Sequence, residues 1–349
     1  MLALLGLLGA VVAGLAADAV MGRPDAEVEG DPDLGGGDDV TTDPAEEGGG
    51  LTGDLLDTVD PLDAPDPADA PVSTDTPPVL TDGQTLTGDV GADSLFGDAG
   101  DDTVAGLEGG DFIGGRAGDD LLDGGAGDNH AWGGTGDDTL LGADGRDVLQ
   151  GEDGDDKLDG GAGDDLLAGH EGDDLLAGGA GQDTLIGGSG VDDLAGGEGD
   201  DWETGGEGGD ALRGGAGADT LDGNNGDDDI RGDDDDADDF LNGGAGDDRI
   251  GVGAGDHAHG GDGADRFDVA DWIDGGDVAH IADYVPGEDE IVVVYDPAAH
   301  PDPQLSLFSA PGSADATVML DGMPVAEVAG GAGMDLSALR LVSSERLAA

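Results

Sequence analysis

The sequence repeats with a strict period of nine residues from Gly88 to Arg231. Sixteen units follow one another without an insertion, and Gly occupies positions 1 and 4 of every unit. Position 6 is Asp in 15 units and Asn129 in the other, and position 8 is Leu, Ile or Val in 14 units. Short repeats of fixed period indicate a solenoid, in which each unit buries its apolar residue against its neighbours. The period therefore restricts the chain to an elongated, stacked architecture.

The residue types within one unit indicate a metal-binding turn followed by a short strand. Glycine at positions 1 and 4 allows backbone conformations closed to other residues and lets carbonyl oxygens converge. The position-6 aspartate adds a carboxylate to the same turn, and Ca²⁺ prefers six to eight such oxygens. One apolar side chain in nine residues returns far less free energy than ordering the backbone costs. We therefore predict a repeat that is unfolded without calcium and folded with it, and that chelator or acid reverses this folding.

Charge and composition exclude several other partners. The chain has 84 acidic and 10 basic residues, a formal net charge of −74, 74 glycines and no cysteine. Nucleic acids and anionic membrane surfaces require basic residues, so both are excluded as partners. Disulfides and thiolate metal sites are excluded by the absence of cysteine. Cations are the natural partners of such a chain.

The composition changes along the chain and predicts four segments. They are an apolar signal or anchor segment (1–21), a disordered acidic linker rich in Pro and Gly (22–87), the repeat array (88–268) and a small β-rich cap that is also a candidate secretion signal (269–349). Within the cap, Ile291 to Tyr295 predicts a strand, and Asp321-Gly322 predicts the turn of a hairpin.

The register loosens after Arg231, as expected where a solenoid ends. Gly232 to Asn242 forms an eleven-residue unit, and Val252 to His259 is one residue short, with His257 in the aspartate position. A last unit begins at Gly260 and places Asp265 in register.

The nonapeptide resembles the G-G-x-G-x-D-x-U-x pattern of the RTX, or hemolysin-type, calcium-binding repeat family over residues 88–268. The resemblance implies an all-β fold, a right-handed parallel β-roll with two units per turn. It also implies calcium between stacked turns, so that Asp93 shares an ion with Asp111, and Asp102 with Asp120. About 14 ions is the ceiling for such a stack. Members typically leave Gram-negative cells by type I secretion, and the apolar N-terminus departs from that pattern.

Carried over residue by residue, the resemblance predicts two sets of metal ligands. The side-chain ligands are Asp93, Asp102, Asp111, Asp120, Asp138, Asp147, Asp156, Asp165, Asp174, Asp183, Asp192, Asp201, Asp210, Asp219, Asp228, Asp239, Asp248 and Asp265. The backbone carbonyl ligands come from the region of Gly91, Gly100, Gly109, Gly118, Gly127, Gly136, Gly145, Gly154, Gly163, Gly172, Gly181, Gly190, Gly199, Gly208, Gly217 and Gly226.

Two units lack the apolar group at position 8, where Ala131 and Glu203 stand beside Trp132 and Trp202. Because these units have equal parity, we expect both tryptophans on one sheet. Either they compensate for the missing core group, with or without a local register shift, or they form an exposed aromatic platform for sugars.

Three further features have ordinary explanations beside functional ones. His257 and His259 form either a structural pair or a transition-metal site. Arg231-Gly232-Asp233 matches an adhesion tripeptide, which chance explains well in a Gly/Asp-rich array. The run from Asp233 to Asp236 is either a solvated bulge or an additional weak calcium site.

The sequence therefore predicts a secreted or cell-surface protein of a Gram-negative bacterium, with a structural or adhesive role. Its predicted partners are calcium ions, the secretion machinery and a cell-surface or matrix polysaccharide. Catalysis is disfavoured, because the sequence has no H-E-x-x-H motif and no G-x-S-x-G elbow within an α/β domain. The alternative is a secreted enzyme, for example one acting on polysaccharide, with its site in the C-terminal β domain.

Overall fold

A computed structural model describes residues 83–232, 237–270 and 278–347. The predicted signal or anchor segment and residues 22–82 of the predicted linker lie outside these ranges. Among the helices in the described ranges, none has the length and apolar character to span a membrane.

Most repeats contribute a six-residue strand and a three-residue turn. In the strand Thr139–Asp144, positions 7 to 9 of one unit are joined to positions 1 to 3 of the next. Leu140, at position 8, is fully buried, while the residues beside it face outward and are half-buried. This alternation is expected because neighbouring side chains of a strand point to opposite faces. Positions 4 to 6 then form the turn that leads to the other side of the solenoid.

Consecutive strands alternate between two sheets. The first sheet has 13 strands, which are in spatial order β1 (Thr85–Thr87), β3 (Thr103–Glu108), β5 (Leu121–Ala126), β7 (Thr139–Asp144), β9 (Lys157–Ala162), β11 (Leu175–Ala180), β13 (Asp193–Glu198), β15 (Ala211–Ala216), β17 (Asp229–Arg231), β19 (Arg249–Val252), β21 (Arg266–Ala270), β23 (Glu290–Tyr295) and β27 (Leu339–Ser343). The second sheet has 14 strands, which are β2 (Ser94–Phe96), β4 (Phe112–Ala117), β6 (His130–Thr135), β8 (Val148–Asp153), β10 (Leu166–Glu171), β12 (Thr184–Ser189), β14 (Trp202–Glu207), β16 (Thr220–Asn225), β18 (Phe240–Ala245), β20 (His257–Asp262), β22 (Ala279–Ile281), β26 (Met323–Val328), β25 (Ala316–Leu320) and β24 (Leu305–Phe308).

The register of the sheets shows that two repeats make one turn. Thr139 in β7 pairs in parallel with Lys157 in β9, 18 residues later. The same offset joins Thr184 in β12 to Trp202 in β14 in the other sheet. The predicted all-β fold, a parallel β-solenoid of nonapeptide repeats, is confirmed.

The core is a narrow column of position-8 side chains between the two sheets. Its fully buried members include Val104, Ile113, Leu122, Leu140, Leu149, Leu167, Leu176, Leu185, Leu194, Leu212, Leu221 and Ile230. Ala131 and Glu203 occupy the same column in register, because Ala131 pairs with Ile113 and Leu149, and Glu203 with Leu185 and Leu221. The sequence hypothesis of a register shift at these two units is therefore wrong.

The position-4 glycines meet two requirements of the turn. Gly163 has a φ of 143°, a conformation that other residues rarely adopt. A Cβ atom there would also lie 2.5 Å from the carbonyl carbon of Gly145, in the turn below. The turns stack so closely that any side chain at this position would collide with the neighbouring backbone.

Both ends of the array extend the same two sheets. β1 lies just before Gly88. It supplies residues equivalent to positions 7 to 9, and the first complete turn stacks on them. At the other end, β23 and β27 continue the first sheet, and β22, β26, β25 and β24 continue the second.

The strand predicted from Ile291 to Tyr295 is β23, and the predicted hairpin around Asp321-Gly322 joins β25 to β26 in antiparallel pairing. Two short 3-10 helices, Gly331–Gly333 and Leu336–Ala338, and one α-helical turn, Ser344–Leu347, complete the described chain.

Candidate metal centre

The position-6 aspartates stack into an inner ladder that runs through the turns. In each step, one aspartate donates its backbone N–H to the Oδ1 atom of the aspartate one turn further along. Asp93 N lies 2.8 Å from Asp111 Oδ1, and Asp102 N lies 2.6 Å from Asp120 Oδ1. These are the two pairs that the family resemblance brings together. The ladder fixes the carboxylate orientation by using one oxygen of each group.

The second carboxylate oxygen, Oδ2, is buried and accepts no hydrogen bond in the described residues along most of the ladder. This holds for Asp111, Asp120, Asp138, Asp147, Asp156, Asp165, Asp174, Asp183, Asp192, Asp201, Asp210, Asp228 and Asp248. The first two aspartates differ, because Asp89 N and Asp98 N donate to the Oδ2 atoms of Asp93 and Asp102. A buried carboxylate oxygen without a donor is costly, so a row of them indicates that cations complete the structure.

Carbonyl oxygens from the next turn approach the same points. A Cβ atom on Gly142, at position 1, would lie 2.5 Å from Asp147 Oδ2 and 2.6 Å from Gly160 O. The absence of a side chain at position 1 therefore leaves a small space in which a carboxylate oxygen and a carbonyl oxygen meet. Both oxygens carry negative charge, so they repel one another unless a cation lies between them.

Asn129 shows which carbonyl groups converge on this space. It replaces the aspartate in one unit, and its Nδ2 donates to Gly127 O at 2.9 Å and lies 3.5 Å from Gly142 O. These acceptors belong to position 4 of the same unit and position 1 of the next turn. The Asn129 amide nitrogen thus stands where the other units place the carboxylate Oδ2, and as a donor it pairs with carbonyl oxygens that elsewhere face a carboxylate oxygen. Each of the other turns therefore presents the carboxylate and carbonyl oxygens that calcium prefers.

The donor set also limits which metal the turns can hold. Within the described ranges, no three His, Asp or Glu side chains form a group that could hold a metal ion. The oxygens that the turns bring together are a carboxylate oxygen and backbone carbonyl oxygens. Such oxygen-rich, flexible sites suit Ca²⁺ and do not suit Zn²⁺, which takes nitrogen and sulfur ligands at short distances.

Burial raises the pKa of the inner aspartates in the metal-free chain. The pKa of Asp138, Asp174, Asp183 and Asp248 rises to about 7, first through desolvation and further through neighbouring carboxylates. The pKa rises to about 6 for Asp120, Asp147, Asp156, Asp192 and Asp228. A bound divalent cation favours the ionised carboxylate and therefore opposes this shift.

An outer ladder of position-5 aspartates was not identified from the sequence. Here the direction is reversed, because each Oδ1 accepts the N–H of the following turn: Asp137 N lies 3.1 Å from Asp119 Oδ1, and Val191 N lies 2.8 Å from Asp173 Oδ1. These side chains are exposed. Nine of the 16 units have Asp at position 5, and this frequency is the sequence signal that could have identified the outer ladder. Each turn is therefore bonded to its neighbours in both directions.

The structure corrects the register of the short unit near the end of the array. Asp256 is 3% exposed and its Oδ1 accepts the N–H of Asp239, so Asp256 and not His257 occupies the aspartate position. The missing residue lies before Asp256, and not after it as the repeat pattern predicted. The ladder also continues beyond Asp265 to Asp289, whose Oδ1 accepts Asp265 N at 3.1 Å. Asp256 and Asp289 each precede a buried residue by two positions. This spacing, which is the one found in the regular units, could have identified both as members of the ladder.

The inner ladder includes the aspartates of the loosened units. Asp239, Asp248 and Asp265 each accept an N–H from the preceding turn. Every position-4 glycine from Gly100 to Gly226 has a positive φ in a turn.

The two tryptophans lie in the same sheet, as predicted, but they differ in exposure. Trp132 is 4% exposed and stacks with Phe112 and His130 on the outer face of the sheet, opposite the core column that contains Ala131. Trp202 is 37% exposed. A common aromatic platform is therefore excluded, since Trp132 is covered.

The two histidines of the short unit do not converge. His257 stacks between Phe240 and His280, with ring centroids 5.1 and 4.8 Å apart. His259 Nδ1 lies 2.8 Å from Asp283 Oδ2. Asp233 and the rest of the acidic run to Asp236 lie outside the described residues.

Stacked turns with buried carboxylates and converging carbonyls define a metal-binding β-roll. A model of the RTX calcium-binding nonapeptide repeat, in four copies, matches residues 81–113, 106–140, 114–149, 132–167, 141–176, 168–203, 204–236 and 234–256. The chain therefore belongs to the RTX calcium-binding repeat family. Family and fold together support calcium binding and a structural role. No curated protein matches the chain.

Proposed function

We propose that the chain is a secreted or cell-surface structural protein whose solenoid folds when calcium enters the turns. The position-6 aspartates, from Asp93 to Asp265, supply the carboxylate ligands, and the position-1 and position-4 glycines supply carbonyl ligands. About 14 ions is the upper limit carried over from the repeat count. Extracellular calcium modules bind at about 10⁻⁴–10⁻³ M, so the chain would remain unfolded in the cytosol and fold after export from a Gram-negative cell.

The row of unpartnered Oδ2 atoms is the observation that supports this proposal. Without a cation, the core column must hold together turns whose carboxylates repel one another. Asn129 provides an internal comparison, because an amide donor there satisfies the carbonyl groups that elsewhere face a carboxylate. The proposed ligand residues thus share one geometry from turn to turn.

Calcium titration of the purified full-length chain tests the proposal. Far-UV circular dichroism should change cooperatively from coil to β-structure at submillimolar to millimolar calcium, and EDTA should reverse the change. Magnesium at the same concentration is the control, because its octahedral geometry and reluctance to dehydrate do not suit carbonyl-rich sites. Equal β-structure in EDTA and in calcium would contradict the proposal. Fractionation of the producing cells should place the chain outside the cytoplasm.

An open groove on the second sheet favours a second function, the binding of a polysaccharide at the cell surface or in a matrix. The groove has a volume of about 310 Å³ and lies between Trp202 and Phe240, with Thr220 between them in the same row. The two aromatic side chains are separated by two strand spacings, roughly 9.6 Å. This separation leaves room for one flat ring between them. Asn242 and Asp222, 2.8 Å apart, add polar groups at the edge. Apolar walls with few polar groups are typical of small-ligand sites.

The charge of the chain, −74, favours a neutral glycan over an acidic one. Binding of neutral hexose oligosaccharides to the calcium-loaded protein should be lost in Trp202→Ala and Phe240→Ala. Phe112→Ala, which changes an exposed aromatic residue in the same row of the same sheet but outside the groove, is the matched control. Unchanged binding in both groove variants would eliminate this site.

We propose a non-catalytic role for the C-terminal region. Among the described residues of this region, His300 Nδ1 and Asp321 Oδ2 lie 2.6 Å apart and form a candidate acid–base pair. Asp321 Oδ1 accepts Gln304 N at 2.8 Å, so this carboxylate holds the β24 end to the hairpin turn. An enzyme acting on polysaccharide remains the alternative, and hydrolysis assays on neutral glycans test it.

A further inference from the structure

Glu203 is a carboxylate inside the apolar column. It is 0% exposed and stands at position 8 of its unit, between Leu185 and Leu221 in the neighbouring turns. A carboxylate in a leucine column is costly unless it is paired. Its partners therefore decide what it does.

The side chain of Glu203 crosses the core to the opposite sheet. Its Oε1 accepts the backbone N–H of Gly196 in β13 at 2.6 Å. Its Oε2 is buried and accepts no hydrogen bond in the described residues. The backbone N–H groups of Gly196 and Arg213 therefore hold this carboxylate at the opposite sheet, and Oε2 is the oxygen available to a ligand.

Gly196 is also the position-1 glycine of a metal-binding turn. A Cβ atom on Gly196 would contact Asp201 Oδ2 and lie 2.7 Å from Gly214 O. Asp201 Oδ2 likewise has no hydrogen-bond donor. Asp201 is joined to the next turn through Asp219 Oδ1, 2.9 Å from Asp201 N. The Glu203 carboxylate, through Oε1, the unpartnered Asp201 Oδ2 and Gly214 O thus all approach the same glycine.

We propose that Glu203 adds its carboxylate, from the core side, to the ligands of the calcium ion held between the Asp201 and Asp219 turns. This inference rests on the proposed calcium-binding function of the turns. The affinity of calcium sites rises with the number of charged ligands and with their rigidity. The site at Glu203 is therefore the tightest in the solenoid, and the first to fill during folding.

The competing explanation is that Glu203 is only a defect in the core. The two explanations predict opposite signs for Glu203→Leu. If Glu203 is a defect, leucine completes the column and less calcium is needed for folding. If Glu203 is a ligand, the tight site is lost and more calcium is needed.

Calcium binding to the full-length protein, measured by competition with a chromophoric chelator, distinguishes these cases. The wild type should show one site at least about tenfold tighter than the rest. Glu203→Gln, which keeps the shape and the hydrogen bond from Gly196, should lose that site, and so should Glu203→Leu. Glu207→Gln is the matched control, because it removes the same charge from an exposed position of the same strand.

The calcium midpoint of folding, followed by circular dichroism, should rise at least twofold in both Glu203 variants and not in the control. A tight site retained in Glu203→Gln, or a lower midpoint in Glu203→Leu, overturns the inference while calcium-dependent folding itself stands. Wild-type protein that does not respond to calcium overturns the proposed function instead.

Discussion

Asp174→Asn should make one turn independent of calcium. In the metal-free chain the pKa of Asp174 is raised from 3.8 to about 7, chiefly because the carboxyl is buried. Each pKa unit corresponds to about 1.36 kcal/mol, so ionisation of Asp174 at pH 8 destabilises the metal-free fold by roughly 4 kcal/mol. Asparagine carries no charge, and Asn129 shows that its amide can donate to the carbonyl of the position-4 glycine at 2.9 Å. The corresponding acceptor is Gly172 O.

The variant should therefore be more stable than the wild type without calcium and bind fewer calcium ions. In EDTA at pH 8, osmolyte-induced folding, followed by circular dichroism, should require less osmolyte for Asp174→Asn than for the wild type. In saturating calcium, calorimetry should count at least one ion fewer, and the wild type should become the more stable protein.

The matched control is Asp173→Asn, which changes the charge equally at the neighbouring exposed position of the outer ladder. Its side-chain oxygen can still accept Val191 N, so both the osmolyte requirement and the ion count should stay near the wild-type values. If the two variants behave alike, net charge and not the inner site governs folding. If Asp174→Asn is less stable in EDTA as well, the carbonyl geometry assigned to the turns is wrong.

Four further outcomes are expected. In EDTA, β-structure should increase as the pH falls from about 7 to about 4. The raised pKa values of Asp138 and Asp183 make the folded chain bind more protons than the unfolded chain, so protonation favours folding. Greater β-structure at pH 8 than at pH 5 would contradict this. Acid should still release calcium from the loaded protein, which calorimetry at pH 5 checks. Because protonated inner aspartates favour the metal-free fold, the raised pKa values argue against the complete reversal of folding by acid that the sequence predicted. Leu194→Ala, at a fully buried site, should lower the unfolding free energy in calcium by about 2–5 kcal/mol, measured by urea denaturation. Gly163→Ala should raise the calcium midpoint of folding strongly. Ala143→Gly relieves a backbone φ of 80° and should lower the midpoint, because the relieved strain amounts to about 1 kcal/mol.

The period of nine residues was sufficient to predict a solenoid and the buried face of each strand, whereas the alternation of repeats between two sheets was predicted from the family resemblance. The period was sufficient because each unit repeats the same local requirements: glycines that the turn needs, an aspartate after them and one inward apolar residue. The strand Ile291–Tyr295 and the hairpin at Asp321-Gly322 were also local signals, and both were confirmed.

Only the tertiary structure decided how the side chains are partnered between turns. Asp147 Oδ1 accepts a backbone N–H from the turn before, and its Oδ2 is left beside Gly160 O; neither partner is a sequence neighbour. The register of Asp256 was misassigned because a one-residue deletion can be placed on either side of it until its strand is paired. Glu203 is an outlier in the sequence, but its burial and its reach to Gly196 depend on the closure of the two sheets. Sequence periodicity specifies what each turn contains, whereas contacts 18 residues apart specify which oxygen atoms remain available to a cation.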